Sequence, residues 1–166
     1  MDGTLLPALL PRTVELLAAP QLPLPFTEQD VRVLAPYLRV VDAPHGAILV
    51  AQGDRANTQH LLILLEGEVS VDQVEEGQGV QLAVLGPGQM LGEMSFIDGQ
   101  PRSMSCTAIS DVRALALGRG GLERLVQEQP QTAARFIALV AQRISDRLRA
   151  LGEQLAIYSK LLEQRR

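Results

Sequence analysis

The sequence has few of the residues from which disulfides and metal centres are built. Its one cysteine, Cys106, cannot form a disulfide within the chain, and it cannot supply a cysteine-based zinc or iron–sulfur site. The two histidines, His45 and His60, stand apart and lack the clustered ligands of a metal-dependent jelly-roll enzyme. We therefore expect no metal site, and we expect Cys106, set among apolar neighbours, to lie in the core.

Charge and long apolar runs are also scarce. Charged residues make up 20% of the chain and the net charge is −4, which does not favour nucleic-acid binding. No apolar run approaches the roughly 18–20 residues of a membrane span. The N-terminus, MDGTLLPALLPRT, has an early acid and two prolines where a signal peptide would be basic. These features predict a soluble, cytoplasmic protein without a membrane span.

Apolar residues, by contrast, are plentiful, and the turn-forming residues are unevenly placed. With 46% hydrophobic residues, a chain of 166 residues can build the core of one domain. Five of the ten prolines lie in the first 25 residues, which predicts an irregular Pro-rich arm over 1–26 with one or two helical turns at Thr13–Ala18. Nine of the fourteen glycines lie between Gly46 and Gly99, a pattern typical of short strands joined by tight turns.

A barrel domain is predicted over residues 27–129. Thr27 and Asp30 fit a capping box, and Phe26 can staple to Val31, so a helix should begin at Thr27 and end near Tyr37. Strands are predicted at Leu38–Val41, Ala47–Val50, His60–Leu65, Glu68–Val74, Val80–Leu85, Ser103–Ile109 and Val112–Leu117, followed by helical periodicity at Leu122–Gln127. This strand density favours a mainly β, α+β fold: a double-stranded β-helix or jelly-roll barrel flanked by an N-terminal and a long C-terminal helix.

The C-terminal segment, residues 130–166, is predicted to form a dimerisation helix. Pro130 suits a first helical turn, and the helix should run to Leu162. Apolar residues recur every 3.5 positions at Ile137, Ala141, Ile144, Leu148, Leu151, Leu155, Tyr158 and Leu162. This is coiled-coil spacing, and a helix about 50 Å long exceeds what one small barrel can cover. We expect a homodimer through residues 137–162; the alternative is an amphipathic helix packed on its own barrel.

The densest chemistry lies in the segment GPGQMLGEMSFIDGQPRSMSCTA, residues 86–108. Gly92 precedes a short helical segment, Glu93–Ile97, whose first N–H groups have no intrahelical partner and can bind an anion. Arg102 adds a planar, permanently charged fork suited to phosphate, and Ser103, expected to open a strand with it, adds a hydroxyl donor. A carboxylate at Glu93 repels phosphate but can accept a hydrogen bond from a ribose 2′-OH. The segment thus describes a site for a nucleotide monophosphate.

These residues resemble the phosphate-binding cassette of the cyclic nucleotide-binding domain family. In that cassette a Gly-Glu pair begins a short helix and a Pro-Arg-Ser/Thr/Ala stretch follows, as Gly92-Glu93 and Pro101-Arg102-Ser103 do here. A second block, HGAILV with QGD and LLILLEGEV at residues 45–69, also resembles the family. The similarity covers about residues 27–150.

The resemblance implies roles for individual residues. Glu93 would accept a hydrogen bond from the ribose 2′-OH, and Arg102 would pair with the phosphate oxygens. Ser103 and the amides of Gly92–Met94 would complete the phosphate contacts. Polar helix residues often cap the purine in this family, and the matching region offers Arg143 and Arg147. The ligand-binding set implied by the resemblance is Gly92, Glu93, Met94, Arg102, Ser103, Arg143 and Arg147.

The resemblance also implies a sensor of cyclic AMP or cyclic GMP that needs no further cofactor and is not an enzyme. It would act on an unknown protein partner through movement of its C-terminal helices. Arg147 and Leu148 replace the hydroxyl pair of the catabolite activator, which leaves the purine undetermined. The alternatives are a ligand-free dimerisation or interaction module and a cyclic di-GMP receptor. Transcriptional relatives carry a helix-turn-helix domain after this helix, whereas this sequence ends at Arg166, so direct DNA binding is not expected.

Overall fold

Two four-stranded antiparallel sheets frame the protein, and helices cover one of them. The structure, a computed structural model, describes residues 7–75 and 78–163. The helices are α1 (Leu10–Leu17), α2 (Glu28–Leu34), α3 (Glu93–Asp98), α4 (Arg119–Glu128) and α5 (Pro130–Glu163), with 3-10 turns at Pro7–Leu9 and Ala35–Tyr37. The strands are β1 (Leu38–Ala43), β2 (Ile48–Val50), β3 (His60–Glu66), β4 (Val69–Glu75), β5 (Gln78–Leu85), β6 (Met90–Leu91), β7 (Ser105–Ala108) and β8 (Val112–Gly118).

The strands form a jelly roll. One sheet has the order β1-β8-β3-β6 and the other β2-β7-β4-β5, so strands that are neighbours in sequence are mostly not neighbours in space. The predicted mainly β fold of the α+β class, with a long C-terminal helix, is confirmed. The sequence did not predict β6, whose two residues pair with β3 through Met90 and Leu91. A pair of residues is too short to show any periodicity.

Strand β3 is buried on both faces, which explains its unbroken apolar sequence. Leu61, Ile63 and Leu65 join the core beneath the helices. Leu62 and Leu64 point the other way, into the core between the two sheets. Successive strand residues alternate between faces, so a strand in the middle of a three-layer structure needs apolar residues at every position.

The N-terminal segment contributes to the core between the helices and β3, the helix-side core. Where the sequence predicted an irregular arm, α1 begins at Leu10, three residues earlier than the helical turns expected there, because Pro11 is tolerated in a first turn. Leu17 and Phe26 are fully buried. The centroid of the Phe26 ring lies 6.0 Å from the centroid of the Phe136 ring on α5. Residues 1–6 of the predicted arm lie outside the described residues.

The predicted capping box at the start of α2 is confirmed. Thr27 Oγ1 accepts from Asp30 N at 3.3 Å, and the Asp30 carboxylate accepts from Thr27 N at 2.8 Å. The same carboxylate also accepts from Thr132 Oγ1 at 3.0 Å and Arg135 Nη1 at 3.1 Å, both on α5. Asp30 therefore ties the first turn of α2 to the first turns of α5.

Helix α5 leaves the body of the protein part-way along its length. Its buried residues end at Val140, and Ile144 is the last apolar side chain packed on the core. From Leu148 onward every described residue of the helix is exposed. Most of the predicted 3.5-residue seam is accordingly uncovered, including Leu155 at 67% exposure. Over the described parts of the chain, no helix combines the length and apolar character that crossing a membrane requires.

Candidate functional site

The site is built around Gly92, where β6 passes into α3. Gly92 has φ +77°, a conformation that favours glycine, and a side chain there would clash with Nη1 of Arg102. Phe96 N donates to Gly92 O at 3.1 Å, closing the first turn of α3. The amides of the residues just before Phe96 are left without intrahelical acceptors, as at any helix start. The predicted turn and short helix are therefore present in this segment.

Glu93, the first residue of α3, is a buried carboxylate at 3% exposure. Its Oε1 accepts from Arg147 Nη1 at 2.6 Å, while Arg147 Nη2 donates to Met90 O at 2.8 Å. Among the described residues, the other carboxylate oxygen, Oε2, accepts no hydrogen bond. Glu93 thus keeps one acceptor free while α5 holds the other.

Arg102 is also buried, and backbone carbonyls receive its donors. Nη1 donates to Gly92 O at 2.6 Å, Nη2 to His60 O at 2.8 Å, and Nε to Asn57 O at 3.0 Å. Burial lowers the pKa of the Arg102 guanidinium, and the nearby Asp54 opposes that shift. Arg102 and Glu93, nine positions apart in the sequence, therefore both lie beside Gly92.

A short loop before β3 holds the backbone of Arg102. Gly53 N donates to Arg102 O at 2.8 Å, and Arg102 N donates to Asp54 O at 3.0 Å. The Asp54 carboxylate accepts from the Asn57 side-chain amide at 2.8 Å and from the backbone amides of Ala56 and Asn57 at 2.8 and 3.2 Å, and these bonds lower its pKa. This turn presents the Asn57 carbonyl to the guanidinium.

The structure corrects the predicted start of the strand that follows Arg102. The sequence predicted a strand from Ser103, with Arg102 and Ser103 opening it, whereas β7 begins at Ser105. Arg102 cannot join the β7 ladder because its N–H and C=O are bonded to Asp54 and Gly53. Arg102 and Ser103 lie in a loop, and the Ser103 side chain is exposed.

The remaining predicted residues lie around this centre in different settings. Met94 on α3 is 52% exposed, so its side chain faces outward. Arg147 contacts Glu93, as described. Arg143 lies one turn earlier on α5, and among the described residues its Nε is a buried side-chain nitrogen without an acceptor. Purine contacts by Arg143 and Arg147, and ligand contacts by the whole predicted set, stay predictions.

Sequence reasoning missed the carbonyl groups that complete the site. Asn57, His60 and Met90 act through main-chain oxygens, which carry no side-chain signature. The Gln52-Gly53-Asp54 turn within the second family-like block was the available signal for the loop. The contact between Arg119 Nη2 and Phe96 O at 3.1 Å, which joins α4 to α3, was likewise not predicted.

Cys106 lies inside the barrel rather than at a reactive surface. It is 6% exposed and belongs to the core between the sheets, as the sequence predicted. Burial, with a smaller contribution from Glu93, raises the pKa of its thiol to about 11. The thiol is therefore protonated at neutral pH, and a thiolate is the reactive form. Within residues 7–75 and 78–163 no cluster of three His, Cys, Asp or Glu side chains is arranged to hold a metal ion.

Two bacterial proteins named for cyclic AMP are similar in sequence to this chain. The chain is 30% identical over 115 residues to a CRP-like cAMP-activated global transcriptional regulator of Mycobacterium tuberculosis, covering 69% of this chain and 50% of that protein. It is 36% identical over 104 residues to the cyclic AMP receptor protein of Thermus thermophilus, covering 62% and 47%. The chain thus spans about half the length of these two relatives.

A solved structure matches nearly the whole fold. A cyclic nucleotide-binding domain from Methylobacillus flagellatus superposes with a TM-score of 0.82 at 28% identity, covering 91% of this chain and 84% of that one. The family model described as the cyclic nucleotide-binding domain matches residues 40–129, more than half of the chain. That range contains Glu93 and Arg102 together with the loop that holds Arg102. The chain belongs to the cyclic nucleotide-binding domain family.

Proposed function

We propose that this protein binds a cyclic mononucleotide, cyclic AMP or cyclic GMP, around Gly92, where β6 passes into α3. We propose that it acts as a non-catalytic regulatory module. The convergence of Glu93 and Arg102 on Gly92 is the observation that carries the proposal. It supplies a carboxylate acceptor for a ribose hydroxyl and a guanidinium for the phosphate within one small site.

Arg102 has to exchange at least one partner to bind a phosphate through two parallel hydrogen bonds. In the described conformation its donors go to the carbonyls of Asn57, His60 and Gly92. A phosphate oxygen carries more negative charge than a carbonyl oxygen, so it forms the stronger, charge-assisted bond with a guanidinium. The exchange also breaks the bond from Arg102 to the Gly92 carbonyl, which then keeps only its bond from Phe96 N in α3. Phosphate binding is thereby coupled to the position of α3.

Two contacts can carry a movement of α3 to the C-terminal helices. Arg119 joins the end of α3 to α4, and Arg147 joins its start to α5. A ligand that binds one arrangement of these helices more tightly than another shifts the equilibrium between them. We propose that the helices pass the signal to a protein partner in the cytoplasm.

We also propose that a second copy of the chain covers the exposed seam of α5. The 3.5-residue spacing of residues 137–162 is that of a two-helix coiled coil. Leu148, Leu155 and Leu162 are largely exposed, at 70%, 67% and 66%. A homodimer would bury these side chains and place two nucleotide sites in one assembly.

The first test is calorimetric titration of nucleotide-free protein with cyclic AMP, cyclic GMP and cyclic di-GMP. We expect saturable binding of one cyclic mononucleotide with one site per chain. That nucleotide should also raise the melting temperature, because a ligand that binds only the native state stabilises it. Binding of cyclic di-GMP alone, or of none of the three by folded protein, would contradict the proposal in favour of the dinucleotide receptor or the ligand-free module.

Substitutions at Arg102 and Glu93 test the assignment of the site. Arg102→Lys keeps the charge but removes the fork, and Glu93→Gln removes the carboxylate. Each should weaken binding by about a hundredfold, as expected when one partner of a buried charged hydrogen bond is changed. The control is Arg113→Lys, an arginine on β8 whose side chain is 40% exposed and paired with Asp42 away from the site. Circular dichroism and melting curves should show that each variant is folded.

A further inference from the structure

Helix α5 touches the site at the last turn that the body of the protein covers. Arg147 is partly covered, with its side chain 37% exposed, and every described residue after it on α5 is exposed. Its two terminal nitrogens donate to different parts of the β6–α3 junction, one to the Glu93 carboxylate and one to the Met90 carbonyl. The Arg147 guanidinium therefore connects α5 to residues on both sides of Gly92.

The geometry points to Arg147 as a positioning residue rather than a purine contact: it orients the Glu93 carboxylate and anchors the outer half of α5 to the nucleotide site. This inference rests on the proposed function and specifies how that site is regulated. The contact at 2.6 Å uses Oε1 alone. Oε2 stays available for a ribose hydroxyl, so Arg147 and the ligand can bind Glu93 together.

Because Arg147 and a ribose hydroxyl can bind Glu93 at the same time, docking of α5 and binding of the ligand should strengthen each other. A buried carboxylate held at one oxygen has fewer orientations to lose when a hydroxyl binds the other. Docking of α5 through Arg147 thus favours the ligand, and by thermodynamic reciprocity the ligand favours docking of α5 by the same factor. Competition would need the hydroxyl to replace Arg147 on Oε1, and it would give the opposite sign.

The distinguishing variant is Arg147→Met, which keeps an unbranched apolar stem but removes the guanidinium. Its affinity for cyclic AMP, cyclic GMP and their 2′-deoxy analogues should be measured beside wild type. We expect binding of the preferred ribonucleotide to weaken about tenfold, within the usual range of coupling between sites. Binding of its 2′-deoxy analogue should change little, because Arg147 acts through the carboxylate that reads the 2′-OH.

A matched control lies two residues further along the same helix. Arg149 is 73% exposed and lies 4.0 Å from Asp146 on the surface, so Arg149→Met should leave both affinities unchanged. An equal loss for ribo- and deoxynucleotide in Arg147→Met would indicate a general structural role and overturn the inference. Unchanged or tighter ribonucleotide binding would also overturn it, the latter in favour of competition.

The anchoring role can be measured without any nucleotide. A nitroxide attached at Glu153→Cys, an exposed position off the 3.5-residue seam, reports the motion of the outer half of α5. The buried thiol of Cys106, with its raised pKa, should stay unlabelled. Arg147→Met should make the label more mobile, whereas Arg149→Met should not.

The mobility of the nitroxide distinguishes a wrong inference about Arg147 from a wrong proposed function. Equal mobility in Arg147→Met and wild type would refute anchoring even if the protein binds a cyclic nucleotide. If wild type binds no cyclic nucleotide, the proposed function fails and the coupling to ligand fails with it. A more mobile label in the variant would then show that the anchor itself survives.

Discussion

Asp30 is a buried carboxylate whose partners come from both ends of the chain. It accepts hydrogen bonds from Thr27 in its own helix and from Thr132 and Arg135 on α5. Burial alone would raise the pKa of Asp30, but these hydrogen bonds together outweigh it and hold the pKa below the ordinary 3.8. The native state therefore favours the ionised form more than the unfolded chain does.

We expect Asp30→Asn to lower the free energy of unfolding at pH 7 by about 2 kcal/mol, typical for the loss of a charged hydrogen-bond acceptor. A carboxylate whose pKa is lowered on folding stabilises the native state above its unfolded pKa and loses that effect as pH falls through the folded value. The difference between wild type and Asp30→Asn should therefore shrink below about pH 4. Urea unfolding from pH 7 to pH 2.5 measures it.

The control for Asp30 is Asp42→Asn. Asp42 pairs with Arg113 on the surface, and its side chain is 64% exposed. An exposed ion pair is worth about 0–1 kcal/mol, so this substitution should have little effect at either pH. Equal losses for the two variants would mean that the buried network on Asp30 adds nothing beyond surface charge.

The Asp30 network also shows how far sequence reasoning reaches at the residue scale. The capping box could be predicted because Thr27 and Asp30 are three residues apart, a spacing fixed by helix geometry. Thr132 and Arg135 lie about a hundred positions away, and no local pattern links them to Asp30. Glu93 and Arg102 were likewise predicted by type, whereas the Glu93–Arg147 contact depends on where α5 packs.

At the scale of elements, α3 begins and ends on glycines with left-handed backbones. Gly92 has φ +77° and Gly99 has φ +70°. The two ends differ in their surroundings, since a side chain at Gly92 would meet Arg102 while one at Gly99 would meet open space. This helix therefore provides its own matched pair of substitutions.

Alanine at either position should destabilise the protein by about 1–2 kcal/mol from backbone strain. Gly92→Ala should also displace the Arg102 guanidinium and weaken cyclic nucleotide binding. Gly99→Ala should leave affinity close to wild type. Melting curves and titrations of both variants check this, and equal affinities would show that the approach of Arg102 to Gly92 is unimportant for binding.

The elements that the sequence predicted well are those with long, regular patterns. Both α5 and β3 were predicted to within a residue of their bounds, because their periodicity or apolar run extends over the whole element. The short strand β6 and the full extent of α1 were not predicted. Each depends on packing against β3 or the helix-side core, which outweighs a weak local pattern.

For the whole molecule, the exposed outer half of α5 is the feature with the largest consequence for assembly. We expect Leu155→Glu, which places a charge in the 3.5-residue seam, to convert a dimer to monomers or weaken it at least tenfold. Ile157→Glu is the control, because Ile157 is similarly exposed at 59% but lies off the seam. Sedimentation velocity over a concentration series gives the dissociation constants. A monomeric wild type would refute dimerisation, and equal effects of the two variants would refute the seam.

The helix-side core joins residues that are far apart along the chain. Phe26 packs on Phe136, and Asp30 bonds with Thr132 and Arg135. During synthesis the N-terminal part of the chain emerges first, so the surfaces of α1 and α2 that pack against α5 stay uncovered until α5 has been made. This part of the apolar core is therefore unfinished until the first turns of α5 have been made, and the final packing of the helix-side core waits for them.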